Sequence, residues 1–181
     1  MNEISLTTQR LLLRPWTDAD LPALTAMNQD PKVMEFIGPI LAEADSRAMI
    51  ERARRSWDEN GYGRFAMEIS ETSQVIGFVG LAQCKFQSHF TPAVEIGWRL
   101  AHKYWGFGYA TEAAVEVTKW AFSTLKIDEL VAFCRITNVR SRHVMEKFGM
   151  ERDPQDDFLH PNKATNDLLR INVLYRMRSA L

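Results

Sequence analysis

Two glycines one residue apart, Gly106 and Gly108, stand between an apolar run ending at Leu100 and a helical pattern beginning near Ala110. Without a Cβ, the backbone at such positions reaches left-handed dihedrals and comes close to a ligand. A helix starting here leaves its first N–H groups without intrahelical partners and carries about half a positive charge at that end. The combination is a diphosphate cradle that needs no lysine. Two commoner phosphate loops do not fit. A Walker-type loop ends in Gly-Lys-Ser/Thr, where this chain has Gly108-Tyr109-Ala110. A dinucleotide fingerprint needs a third small residue where Thr111 stands, and an acid ending the next strand, whereas Asp128 and Glu129 precede it. Spacing alone leaves open a glycine-containing turn of no function.

Other residues carry chemistry less specifically. Glu95, between Val94 and Ile96, reads by itself as a surface carboxylate on an alternating strand. Asn138 follows a strand and could cap a helix beginning near Ser141. Cys84 and Cys134 lie in apolar runs and read as buried, reduced thiols. His89, His102, His143 and His160 have no metal-ligand spacing among themselves or with the cysteines, so no metal is expected.

The elements that must position these residues follow from periodicity. Residues 6–16 alternate as a strand, and Thr17 with Asp20 marks a helix start running to about Asn28. A second helix fits residues 43–59, with Asn60-Gly61 as terminator. Strands over 63–70 and 75–85 read as a hairpin, followed by a strand over 93–100. Ala110, Ala113, Ala114, Val117, Ala121 and Leu125 recur at three- and four-residue steps, predicting a helix over 110–125. A buried-type strand over 130–136, a short helix over 141–148, a polar loop over 151–166 and a last strand over 168–177 complete the order. This is a mixed α/β domain, and residues 1–181 show no linker or repeat that would divide it.

Bulk composition agrees with a globular chain. Twenty-two basic and 23 acidic residues leave a net charge of −1, which draws the whole chain towards neither nucleic acid nor an anionic membrane. No apolar run is long enough to span a bilayer, and the polar N-terminus does not read as an export signal, so a cytoplasmic location is expected.

Trp105-Gly106-Phe107-Gly108-Tyr109-Ala110 resembles motif A of the GNAT superfamily of N-acetyltransferases, Gln/Arg-x-x-Gly-x-Gly/Ala, with Trp105 at the glutamine or arginine position. The extended run from Tyr104 to Ala113 is similar to the branch of ribosomal-protein N-terminal acetyltransferases. Thr8-Gln9-Arg10-Leu11-Leu12-Leu13-Arg14 resembles that branch's opening strand. Asn138-Val139-Arg140-Ser141 with Val144-Met145-Glu146-Lys147-Phe148-Gly149-Met150 resembles its motif B, and Val173-Leu174-Tyr175-Arg176 its closing strand.

The resemblance implies an enzyme that binds acetyl-coenzyme A and passes the acetyl group to an amine by direct attack. It implies a mixed, mostly antiparallel sheet with splayed middle strands and flanking helices. The N–H groups of Gly106, Phe107, Gly108, Tyr109 and Ala110 would hold the diphosphate, and Trp105 would line the cofactor site. Backbone groups of Trp98, Arg99 and Leu100 would pair with the pantetheine arm, and an N–H of Trp98 or Arg99 would face the thioester carbonyl. Asn138 and Ser141 would contact the pantetheine or sulfur end. Glu95 matches the family's general base. Met145 occupies the position where many members carry a proton-donating tyrosine, so Ser141 is the replacement candidate for the acid, ahead of Tyr109 and Tyr175. The acceptor would lie near residues 34–41 and 153–166, where Asp153, Asp156 and Asp157 either attract a cationic amine or form a solvated loop. The expected acceptor is a protein N-terminal α-amine or a small-molecule amine, and the expected state is a monomer or homodimer. A catalytically weak domain that senses acetyl-coenzyme A is the alternative; a nucleotide-dependent oxidoreductase fits poorly.

Overall fold

Leu11 and Leu13 are fully buried while Leu12 between them is partly exposed, the alternation of a strand with one face on a core. Each such leucine contributes about 1.5–3 kcal/mol of burial. The run from 6 to 16 is nevertheless two strands. β1 (Leu6–Thr7) turns back antiparallel onto β2 (Leu11–Arg14), pairing Leu6 with Leu13 and Thr7 with Leu12. The Thr8 hydroxyl accepts the Leu11 N–H at 3.0 Å and closes the turn, a bend that continuous apolar patterning conceals.

The computed structural model describes residues 4–161 and 170–179. The chain forms two units, Met1–Ala82 with Gly97–Val117, and Gln83–Ile96 with Thr118–Leu181.

In the first unit β2 runs antiparallel to β3 (Arg64–Ile69), which runs antiparallel to β4 (Gln74–Gln83). After β2 the chain enters a short 3-10 turn and α1 (Leu21–Asn28). Here Asp20 accepts the Thr17 N–H at 2.7 Å, the capping pair read from the sequence. A four-residue helix, α2 (Pro31–Met34), follows a cap by Asp30 that the sequence reading did not anticipate. α3 (Glu43–Asn60) stops where Gly61 turns left-handed, as expected. Leu21, Leu24 and Met27 of α1 and Ile50 and Ala53 of α3 pack with Trp16, Val33, Ala66 and Phe78. The C-terminal half of β5 (Val94–Leu100) belongs to this unit, and the Ala101 N–H that follows it donates to the Ile76 carbonyl at 2.9 Å. α4 (Tyr109–Ser123) buries Ala113, Ala114 and Val117 in this unit and Ala121 in the second, the predicted small-residue face.

In the second unit β5 begins parallel to β6 (Glu129–Arg135), pairing Val94 with Leu130 and Glu95 with Val131. β6 pairs antiparallel along its whole length with β9 (Ile171–Arg178). α5 (Val139–Lys147) lies between them in sequence. The stretch after α5, expected to be a featureless loop, contains β7 (Glu151–Arg152) and β8 (Phe158–Leu159), both antiparallel to β9. Two-residue strands show no alternation of their own; their pairing is templated by β9. The expected last strand begins at 168, and residues 162–169 lie outside the described residues. Phe90, Val131, Phe158 and Leu174 form this unit's core with Cys84, Phe86, Ala93 and Phe133. Mixed, mostly antiparallel strands with flanking helices are the expected fold class.

Candidate functional site

The glycine loop and the start of α4 belong to the first unit. A 3-10 turn at His102–Tyr104 follows β5, and the Trp105 indole N–H donates back to the Leu100 carbonyl at 2.9 Å. Trp105 also packs against the core beneath α1 and α3, so its ring anchors the loop. Gly106 and Gly108 both sit in the left-handed region, with φ of 84° and 83°. A Cβ at Gly106 would meet nothing within 4 Å, and one at Gly108 only the Arg10 guanidinium at 3.6 Å. The N–H groups of Gly106, Phe107 and Gly108 meet no acceptor among the described residues. The α4 bonding begins with the Glu112 N–H donating to the Gly108 carbonyl at 3.0 Å. The N–H groups of Tyr109, Ala110 and Thr111 precede that bond and are the unpaired donors of the first turn. Six consecutive donors, at residues 106–111, thus lie at the positive end of a 15-residue helix.

This loop is held from the turn between β1 and β2. Arg10 donates through Nε to Glu112 Oε2 at 2.7 Å, through its backbone N–H to Oε1 at 2.9 Å, and through Nη1 to the Phe107 carbonyl at 3.0 Å. Its guanidinium also lies 4.5 Å from the centre of the Tyr109 ring. The Thr8 hydroxyl donates to Glu112 Oε1 at 2.6 Å. Burial disfavours the Glu112 carboxylate, but the hydrogen bonds from Thr8 and Arg10 outweigh it and hold the pKa below the ordinary glutamate value. The sequence reading gave Glu112, Thr8 and Arg10 no part in the site. The available signal was the place of Thr8 and Arg10 in the opening-strand motif.

Glu95, Asn138 and Ser141 belong to the second unit. Glu95 is half-buried, and its position is set by the parallel register with Val131. Asn138 caps α5, its side-chain oxygen accepting the Ser141 N–H at 3.2 Å, so the capping reading holds. The Ser141 side chain is half-exposed in the first turn of α5, whereas Met145 is fully buried one turn on. Tyr175, also considered as an acid, is buried in β9. Its hydroxyl donates to Glu146 at 2.7 Å, and burial followed by the Glu146 bond raises its pKa, which suits a packing role.

Neither cysteine is poised to react. Burial, with the Glu95 charge second, pushes the Cys84 thiol up to about 12, and burial likewise pushes Cys134 to about 12. Two of the three loop acids are already paired. Asp156 accepts from Arg176 at 2.6 Å and lies 3.2 Å from His89, and Asp157 is bonded by Arg152. Asp153 accepts the Gln155 N–H at 2.9 Å. No group of three or more His, Cys, Asp or Glu side chains is placed to hold a metal ion among the described residues. No helix among them is long and apolar enough to cross a membrane.

The family model described as "Acetyltransferase (GNAT) domain" matches residues 10–151. The uncharacterized N-acetyltransferase YnaD of Bacillus subtilis is 29% identical over 149 residues, 82% of this chain and 83% of that protein. Among solved structures, an acetyltransferase from Agrobacterium tumefaciens superposes with a TM-score of 0.79 at 28% identity, covering 99% of this chain and 96% of the other. The ribosomal-protein-S5-alanine acetyltransferase of Vibrio fischeri shares the fold, with a TM-score of 0.77 at 13% identity over 98% and 97% of the two chains.

Proposed function

This chain belongs to the GNAT family of acetyltransferases, and we propose that it acetylates a free α-amine, on a peptide N-terminus or a small molecule, by direct attack. It is an acyltransferase dependent on acetyl-coenzyme A, which when bound supplies an activated acetyl thioester. The observation that carries the reading is the run of six unpaired N–H groups at residues 106–111, fixed by Arg10 and Glu112. That arrangement fits a diphosphate: the donors lack an internal acceptor, a Cβ at Gly106 would meet nothing within 4 Å, and the helix end favours an anion.

The remaining roles are assigned residue by residue. Gly106, Phe107, Gly108, Tyr109 and Ala110 hold the diphosphate through their N–H groups, whereas the Trp105 N–H is taken by the His102 carbonyl at 3.1 Å, so Trp105 anchors the loop instead of donating to the ligand. Trp98, Arg99 and Leu100 offer backbone groups to the amide-bearing arm, although the Leu100 carbonyl already accepts one bond from Trp105. Glu95 takes the proton from the attacking amine through a water. Ser141 returns a proton to the leaving sulfur, and Asn138 sets the turn that presents it. An α-amine has a reference pKa near ~7.8 against ~10.4 for lysine, so at pH 7.4 roughly a quarter is already neutral against about 0.1% of a lysine. One carboxylate without a motif B tyrosine suits the easier proton.

A pair of matched peptides tests this reading with thiol release from acetyl-coenzyme A as readout. One peptide has a free N-terminus and no lysine; the other is blocked and bears a lysine. Faster acetylation of the first is expected, and faster acetylation of the second overturns the α-amine assignment. The buried Met145 favours one second reading, a sensor domain that binds acetyl-coenzyme A without turnover. It would show binding with no thiol release for any amine.

A further inference from the structure

In the first unit, three arginines lie close to Ala66 and Phe78, which pair across β3 and β4 beneath α1 and α3. One is fully satisfied. Arg14 bonds both oxygens of Asp20 at 2.8 Å and Glu68 at 2.8 Å. The other two share the Phe78 ring, the Arg64 guanidinium carbon 5.1 Å and the Arg99 carbon 5.3 Å from its centre. Neither has a carboxylate partner among the described residues. Arg99 donates from Nη1 to the Asn28 side-chain oxygen at 2.6 Å, and its Nε is buried without any acceptor. Asn28 is itself fully buried, its amide donating to Ser46 Oγ at 2.9 Å, so the oxygen that orients Arg99 is held from behind.

Two guanidinium groups over one ring, one of them largely removed from water, repel each other and lack the anion that normally offsets such burial. Desolvation first, and Arg64 second, lower the Arg99 pKa to about 10. An arginine pair without a carboxylate, beside an Arg14 that bonds two, is chemically suited to an anion from outside. A guanidinium edge matches the two oxygens of a carboxylate.

We propose that Arg64 and Arg99 recognise a carboxylate on the acceptor, so that the amine acetylated belongs to an α-amino acid or to a short peptide with a carboxylate near its amine. This rests on the acetyltransferase reading above. Arg64 and Arg99 act through their side chains here, and the backbone of Arg99 keeps the role already assigned to it.

Two experiments test the site, one of them without turnover. In protein labelled with 15N, with coenzyme A present, the arginine Nε–H signal missing from Arg99→Gln should move on titration with glycine or acetate and stay still with glycinamide. If Arg99→Gln does not fold, Arg99→Lys identifies the same signal. No movement, or equal movement with glycinamide, overturns the proposal. In steady-state assays on α-amino acids and their matched carboxamides, the free carboxylate should raise kcat/KM by about tenfold, the scale of one charge-assisted contact. Arg64→Gln should reduce that preference to below about threefold while carboxamide turnover is unchanged. Equal rates for acids and amides, or thiol release with neither, overturn the proposal but leave the acetyltransferase assignment standing, which the matched peptides test separately. A second anion source is the coenzyme's own 3′-phosphate. If Arg64→Gln weakens acetyl-coenzyme A but not its 3′-dephospho form, the anion is that phosphate and the acceptor proposal fails.

Discussion

Arg10 and Glu112, 102 residues apart in sequence, are joined by a two-pronged ion pair, with Glu112 Oε2 at 2.7 Å from Nε and 2.6 Å from Nη2 of Arg10. The same arginine donates to the Phe107 carbonyl, so the β1–β2 turn, the glycine loop and the first turn of α4 are tied at one side chain. Glycines at φ near +84° lower the cost of this loop conformation but do not enforce it. The enforcement comes from Arg10, which prepares the row of N–H donors before any ligand arrives.

Removing that tie should therefore weaken ligand binding more than it weakens the fold. Arg10→Ala is expected to raise the Kd for acetyl-coenzyme A by about tenfold, the scale of one lost charge-assisted hydrogen bond. Isothermal calorimetry checks this. Glu112→Gln should produce part of the same loss, and the double variant should lose less than the sum of the two. Fully additive effects would show that the pair does not act as a unit.

Acid should unfold the first unit through Glu112 and Asp20. In both, burial disfavours the carboxylate but hydrogen bonds from arginine and threonine leave the pKa below its ordinary value. A lowered folded-state pKa contributes stability that is complete above the unfolded values, about 3.9 for Asp and 4.3 for Glu, and is lost as pH falls through the folded ones. The melting temperature should hold from pH 7 to about 5 and fall below about 4.3. Asp20→Asn or Glu112→Gln should lower the plateau and flatten this acid limb. An acid limb of unchanged steepness in both variants would remove these carboxylates from the account.

Alkylating reagents should spare the enzyme. With both thiols pushed to about 12, the thiolate fraction at pH 8 is on the order of 10⁻⁴, too small for ready attack. Intact mass after an hour with iodoacetamide should show no adduct on the folded protein and two after denaturation. Rapid modification of folded Cys84 with loss of activity would instead point to a reactive cysteine.

Glu95→Gln should reduce the acetylation rate by roughly 10²–10⁴ fold, with little change in acetyl-coenzyme A affinity. A variant with the parent's rate would return Glu95 to the role of a surface carboxylate.

What could be read from the sequence was mostly what is encoded locally. Thr17 with Asp20, and Asn60 with Gly61, announce helix ends through hydrogen bonds that span three or four residues. The glycine loop is equally local. The β1–β2 hairpin was hidden because Leu6 and Leu11 to Leu13 are apolar on both sides of a turn that depends on one threonine hydroxyl. β7 and β8 were invisible because β9, not their own residues, makes them strands. The same distinction holds in the site. Arg10 reaches Glu112, and Arg64 and Arg99 meet over Phe78, only through strand pairing and packing that no single stretch of sequence records.

The central claim, that the donors at residues 106–111 bind acetyl-coenzyme A, is tested most directly by calorimetry on Gly108→Val without added metal. Valine at φ near 83° strains the backbone by roughly 1–2 kcal/mol and places a branched side chain against Arg10, 3.6 Å from the position of its Cβ. The parent should bind one acetyl-coenzyme A per chain, and a variant with an unchanged circular dichroism spectrum should bind none measurably. Gly106→Ala, where the added Cβ meets nothing, should bind with intermediate affinity. Parental affinity in a folded Gly108→Val protein would contradict the account.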